Sequence, residues 1–158
     1  MNKRSESFAK ARDYAFLLLK FRLRSENELV QRLKKKKFSE ETAKEVAAFL
    51  KEKRFIDDNA FAKAWVSSRL KRPLGLRKIR QELRQKGIDQ EIIETEIDKV
   101  KDYSETQIVL DLARARLSRL KGIEPVKAEA RVYAYLARRG FSPETIIDIL
   151  SQLCTHQP

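Results

Sequence analysis

The chain of 158 residues is poor in the residues that most enzymes and extracellular scaffolds rely on. It has one cysteine, Cys154, so an internal disulfide and a thiolate-rich zinc site are both excluded. It has one histidine, His156, two residues from the C-terminus, where it reads as a frayed tail residue. A Ser-His-Asp or metal-assisted hydrolase needs a histidine held in a packed site. Four glycines and four prolines exclude collagen, Gly-rich linkers and most β-sandwiches. The longest runs of aliphatic residues and Phe, 15–19 and 46–50, are five residues each, against about 20 for a spanning helix. The first residues are charged and lack the apolar stretch of a signal peptide. We therefore expect a soluble, cytoplasmic protein in a reducing compartment, with no membrane partner. There is no GxxxxGK[ST] loop, no GxGxxG and no defensible carboxylate pair. No cofactor, metal or catalytic residue is expected, and the chain reads as a non-enzyme.

What remains is apolar enough to build a core, at 42%, and heavily charged, at 37%, with 35 Lys+Arg against 23 Asp+Glu. Apolar residues recur at helical spacing almost throughout, which predicts nine helices in three groups of three. Ser25 with Glu28 spells a capping box, and Asp57 or Asp58 is a good N-cap for the segment holding Phe61, Trp65 and Leu70.

An internal repeat organises these helices. Phe38, Ile88 and Phe141 align at spacings of 50 and 53 residues. Nine positions upstream stand Leu29, Ile79 and Val132, and five upstream Leu33, Leu83 and Leu136. Downstream stand Ala43, Ile93 and Ile146, then Ala47, Ile97 and Leu150, then Leu50, Val100 and Leu153. The caps Ser39, Asp89 and Ser142 and the preceding turn positions Lys37, Gly87 and Gly140 keep the same register. Each copy reads as a helix ending at a turn, an apolar plug at the corner, and a helix leaving from a cap. A further helix precedes each pair, near 8–21, 59–70 and 105–120. The expectation is an all-α protein of three tandem three-helix repeats, 1–54, 55–102 and 103–158, stacked into an elongated, curved rod.

Charge is uneven. Residues 1–54 carry sixteen bases against eight acids. Between 63 and 86 nine bases, Lys63, Arg69, Lys71, Arg72, Arg77, Lys78, Arg80, Arg84 and Lys86, face one acid, Glu82. On the predicted helix 76–86, Leu76, Ile79 and Leu83 form the buried stripe, leaving Arg77, Arg80, Gln81 and Arg84 on the outer face. Such a face suits phosphates or an acidic protein groove, and equally a solvated helix surface. The run Lys34, Lys35, Lys36 and Lys37 is a second candidate, or a helix end complementing the dipole. Trp65 reads as core rather than base-stacking, and Tyr133 and Tyr135 cannot both face inward on one helix. Asp57 and Asp58 lack further converging metal ligands and read as caps.

Two stretches are more specific. Phe55-Ile56-Asp57-Asp58-Asn59-Ala60-Phe61-Ala62, followed by Trp65 and Arg69, resembles the hallmark of the RecX family, modulators of the RecA recombinase. So does Gly75-Leu76-Arg77-Lys78-Ile79-Arg80-Gln81-Glu82-Leu83-Arg84-Gln85-Lys86-Gly87-Ile88. Most of these motif positions (Phe55, Asp57, Asp58, Phe61, Ala62, Trp65, Gly75, Ile79, Glu82, Leu83, Gly87) read as structural. The resemblance implies an all-α, three-repeat protein that lies in the groove of the RecA–single-stranded-DNA filament. It implies opposition to filament growth, ATP hydrolysis and strand exchange, and non-specific binding of single- and double-stranded DNA. A monomer is expected. The competing expectation is a helix-turn-helix-like basic DNA-binding regulator.

Overall fold

The computed structural model describes residues 3–100 and 102–155; His156 lies outside them. Among these residues there are nine helices and no strand: α1 Lys3–Phe21, α2 Glu26–Lys35, α3 Glu40–Glu52, α4 Asp58–Leu70, α5 Leu76–Gln85, α6 Gln90–Asp98, α7 Glu105–Ser118, α8 Pro125–Arg138 and α9 Pro143–Thr155. They form two compact units. The first holds the residues up to 65 with 83–95, the second holds 66–82 with the residues from 96 onward.

The repeat is visible in the backbone. Lys37, Gly87 and Gly140 all adopt positive φ, at 74°, 73° and 84°. In each copy the following N–H donates back to the carbonyl five residues earlier: Phe38 to Leu33, Ile88 to Leu83 and Phe141 to Leu136. The positive-φ residue donates to the carbonyl three before it: Lys37 to Lys34, Gly87 to Arg84 and Gly140 to Ala137. This is a Schellman C-cap at each corner of the repeat, and the turn at Arg54 after α3 has the same form, satisfying carbonyls the helix leaves unpaired. The helices then restart from caps in register. Ser39 Oγ accepts from Thr42 N, Asp89 Oδ1 from Glu91 N and Ser142 Oγ from Thr145 N. Leu29, Ile79 and Val132 are fully buried, as are Leu33, Leu83 and Leu136, and Ala43, Ile93 and Ile146.

In the first unit α1, α2 and α3 close over Ala11, Ala15, Leu18, Leu29, Leu33, Val46 and Leu50, with Phe8 edge-on to Phe49 at 5.8 Å. In the second, α7, α8 and α9 close over Val109, Val132, Leu136, Phe141 and Ile146. Tyr133 and Tyr135 both sit half-buried at its margin, and the guanidinium groups of Arg116 and Arg139 lie 4.8 and 4.9 Å from the Tyr135 ring centre.

Successive repeats are fastened by the same three devices. The first backbone N–H of α2, at Glu26, donates to Asp58 Oδ1 (2.9 Å), and that of α5, at Leu76, donates to Glu105 Oε1 (2.6 Å). In both cases the acid opening the next repeat's first helix caps the middle helix of the repeat before it. The residue starting that middle helix then donates to the carbonyl just before the positive-φ glycine of the next repeat. Ser25 Oγ donates to Lys86 O (2.6 Å) and Gly75 N to Arg139 O (2.8 Å). Finally, each glycine is pressed against the same helix start: a Cβ on Gly87 would overlap Asn27, and one on Gly140 would overlap the Cβ and backbone N of Lys78. The first junction lies in the first unit and the second in the second.

Candidate functional site

The motif 55–62 is spent on these joints. Asp57 is the cap of α4, accepting from Asn59 N at 2.8 Å. Asp58 instead reaches α2, and burial raises its carboxyl pKa above the ordinary value against the lowering effect of the Glu26 N–H. Phe61 and Ala62 are buried. Phe55 is exposed on one side and packs edge-on against Phe16 at 4.9 Å. Trp65 is half-buried, stacked on Phe61 at 5.6 Å, with Lys86 Nζ 5.0 Å from its ring centre. Ile79 and Leu83 are buried, Gly75 starts α5 and Gly87 ends it. Among the described residues no group of His, Cys, Asp or Glu could hold a metal. Cys154 is half-buried, and its thiol is pushed up to about 11 by its hydrogen bond with Glu129 and by burial.

The basic candidates separate into committed and available side chains. Arg69 Nε donates to Glu82 Oε2 at 2.6 Å, so the single acid of the 63–86 stretch is used internally. Lys86 Nζ sits 2.6 Å from Glu28 Oε1 as well as over Trp65. Lys34 pairs with Glu40 at 3.0 Å, and Lys36 lies 5.5 Å from the Tyr14 ring centre. Lys37 is exposed in the left-handed turn and Lys35 is exposed beside it. Lys63, Lys71, Arg72 and Arg77 stand exposed, with no acidic partner among the described residues. Lys78 is half-buried against the Gly140 turn. On α5 Arg77 and Arg84 are exposed and Arg80 is half-buried, opposite the buried Ile79 and Leu83. Arg84 donates to the neutral amide of Gln90 at 2.9 Å, which leaves its charge intact. One helix thus presents a row of cations outward while its apolar stripe holds it in place.

A further cationic cluster escaped the sequence reading. Arg22, Arg24 and Arg32 gather with Lys35 and Lys86 around a cleft of roughly 450 Å³ in the first unit. The only sequence signal was the excess of bases over residues 1–54.

Three family models match consecutive stretches of the chain: the first three-helix domain of RecX at residues 11–50, the second at 57–96 and the third at 104–150. Regulatory protein RecX of Chlorobium phaeobacteroides (strain BS1) is 38% identical over 145 residues, covering 91% of this chain and 93% of that protein. Regulatory protein RecX of Amycolatopsis mediterranei (strain U-32) is 35% identical, covering 86% and 78%. A crystal structure of regulatory protein RecX matches with a TM-score of 0.80 at 26% identity, over 92% of this chain and 72% of that one. RecX from Lactobacillus salivarius shares the fold, with a TM-score of 0.78 at 22% identity over 96% and 99% of the two chains. With all three domains present in order, at this identity and over almost the whole length, the chain belongs to the RecX family of regulatory proteins.

Proposed function

We propose that this chain is a regulator without catalysis of its own, which binds the RecA–single-stranded-DNA filament, in its groove, and restrains ATP hydrolysis, filament growth and strand exchange. Family membership supports the reading, and the observation that carries it to particular residues is the outward cationic face of α5, where Arg77 and Arg84 stand exposed, with exposed Lys63, Lys71 and Arg72 near it in sequence. These cations suit phosphate or acidic protein surface. Tandem repeats present several weak contacts on one chain, so each bound repeat raises the effective concentration of the next. A chain touching several protomers favours the one filament geometry it fits, and a nucleotide cycle that needs the geometry to change is slowed.

The helix-turn-helix alternative has less support. The helix leaving the Gly87 corner, where base-reading residues would sit, is α6, and it carries Glu91, Glu94, Glu96 and Asp98. A carboxylate face repels the duplex that a recognition helix must enter.

The test is the single-stranded-DNA-dependent ATPase of cognate RecA, with parent protein and with the triple variant Arg77→Glu, Arg80→Glu, Arg84→Glu. The parent lowers hydrolysis, and the triple variant stays helical and inhibits at least about tenfold less, the loss expected when roughly 1.4 kcal/mol of favourable contact disappears. The control reverses Arg114, Arg119 and Arg131, exposed in the third repeat, and leaves half-buried Arg116 alone. Undiminished hydrolysis with parent protein at concentrations near that of RecA refutes the function; a fully active triple variant refutes the site.

A further inference from the structure

The cleft in the first unit has the make-up of an anion site. Arg22 and Arg24 come from the link between α1 and α2, Arg32 and Lys35 from one face of α2, and Lys86 from the end of α5. Its single acid, Glu28, is already occupied. Arg22 holds both its oxygens at 3.0 Å, and Lys86 sits at 2.6 Å. Those three side chains close on themselves as a fixed floor, and Arg24, Arg32 and Lys35 are left with no carboxylate partner among the described residues. Arg24 is buried, its Nε donating a long 3.4 Å bond to Leu18 O. Burial first, and then the charges of Arg22 and Arg32, push its guanidinium pKa below the ordinary value, with Glu28 opposing. A buried cation crowded by like charges is costly unless an anion completes the site. Asn27, Gln31 and Gln85 add amide donors around the mouth.

We propose that this cleft binds a backbone phosphate of single-stranded nucleic acid, with Arg24, Arg32 and Lys35 as its ligands. Cations approaching from a link and from two successive turns of α2 surround a tetrahedral oxyanion better than they fit the plane of one carboxylate. The neighbouring aromatic supports the single strand over the duplex. Phe21, one residue before the cleft's Arg22 in sequence, is 75% exposed, and an exposed ring so close along the chain offers a base somewhere to stack. This site needs bare nucleic acid alone and does not depend on RecA, so it stands or falls apart from the function proposed above.

The experiment follows the anisotropy of a fluorescent thymidine oligonucleotide from low to moderate salt. It compares the parent with Arg32→Gln/Lys35→Gln, two exposed positions whose change leaves the floor and core intact. The expected result is an unchanged melting temperature and an affinity about tenfold lower. The salt slope should be smaller by about 0.7, since the cleft holds one phosphate and each phosphate neutralised on a single strand contributes about 0.7. Arg24→Gln, if folded by circular dichroism, should lose affinity as well. Unchanged affinity and slope in the exposed double variant overturn the proposal. So does inorganic phosphate that displaces the oligonucleotide at micromolar concentration, which would make the cleft a free-anion site. Polyglutamate binding that depends equally on Arg32 and Lys35 also overturns it, in favour of an acidic protein ligand.

Discussion

The three corresponding corners of the repeat share one backbone conformation, found also at Arg54 after α3, and differ in what surrounds them. The corners at Gly87 and Gly140 are pressed against the start of the preceding repeat's middle helix. The corner at Lys37 meets no other repeat among the described residues and stands exposed. All three have positive φ, yet only the first carries a side chain. Backbone strain alone therefore does not dictate glycine here. A lysine tolerates the left-handed turn at a cost of about 1–2 kcal/mol. What dictates glycine at 87 and 140 is the missing space for a Cβ where repeats join. The glycines of the repeat mark junctions more than turns.

The largest expected effect breaks that distinction directly. Gly140→Ala adds the left-handed penalty to an overlap with the backbone of Lys78, which cannot swing aside. A loss of about 2–5 kcal/mol is expected, combining strain and overpacking. Gly87→Ala meets the exposed side chain of Asn27, which can yield in part, so about 1–3 kcal/mol is expected. Urea melts of both variants measure the difference. Equal small losses, no larger than turn strain alone, would show that the junctions have room.

The next effect separates the two junctions by pH. The first is clasped by Lys86 on Glu28, and the second has Lys78 at the repeat position corresponding to Glu28. Burial opposes ionisation of Glu28, and the hydrogen bonds from Arg22 and Lys86 outweigh it, holding its pKa to about 2 from an ordinary 4.5. A depressed carboxyl contributes stability that is present above the unfolded value, so it is fully in force above about pH 5. It is lost as pH falls from there toward 2. At 1.36 kcal/mol per pH unit the contribution is on the order of 3 kcal/mol. Glu28→Gln should therefore lose about 2–3 kcal/mol at pH 7 and converge with the parent near pH 2. Other acids, Glu40 among them, titrate in both proteins and cancel in the difference. A parent–variant gap that stays constant from pH 7 to pH 2 would remove Glu28 from the clasp.

The sequence made the repeat legible because each copy carries its own signals. Apolar columns, a cap and a turn sit within a few residues of one another, so Leu33, Phe38 and Ser39 announce a corner with no knowledge of the rest. The junctions were illegible for the converse reason. Asp58 looks like a cap of its own helix, and only folding reveals that Asp57 holds that role while Asp58 serves an amide 32 residues earlier. The candidate site divides in the same way. The outward face of α5 follows from helical spacing, but spacing could not show that Arg69 and Lys86 are spent on Glu82 and Glu28. Arg22, Arg24 and Arg32 were invisible as a group because the first repeat is basic throughout, and a cluster has no contrast against such a background.

The smallest effect has the opposite sign and sharpens the comparison most. If Lys37 bears turn strain only, Lys37→Gly removes about 1–2 kcal/mol of it. Glycine returns about 0.5–1 kcal/mol through the added freedom of the unfolded chain. The net is a gain of roughly 0.5 kcal/mol, or about 1–2 °C in melting temperature for a chain of this size. The Lys37 ammonium is exposed and forms no ion pair among the described residues, so no partner is lost. Lys37→Ala keeps both the strain and the exposure and should melt with the parent, isolating backbone from side chain. The same exchange toward glycine is silent at 87 and 140, where it is already made, and the reverse exchange there is costly. One position at which glycine helps slightly, beside two at which its loss is severe, is the pattern expected when junction space selects the residue. Destabilisation of Lys37→Gly by more than about 0.5 kcal/mol would mean that the lysine stem is held at the first corner, and the contrast between free and docked corners would fail.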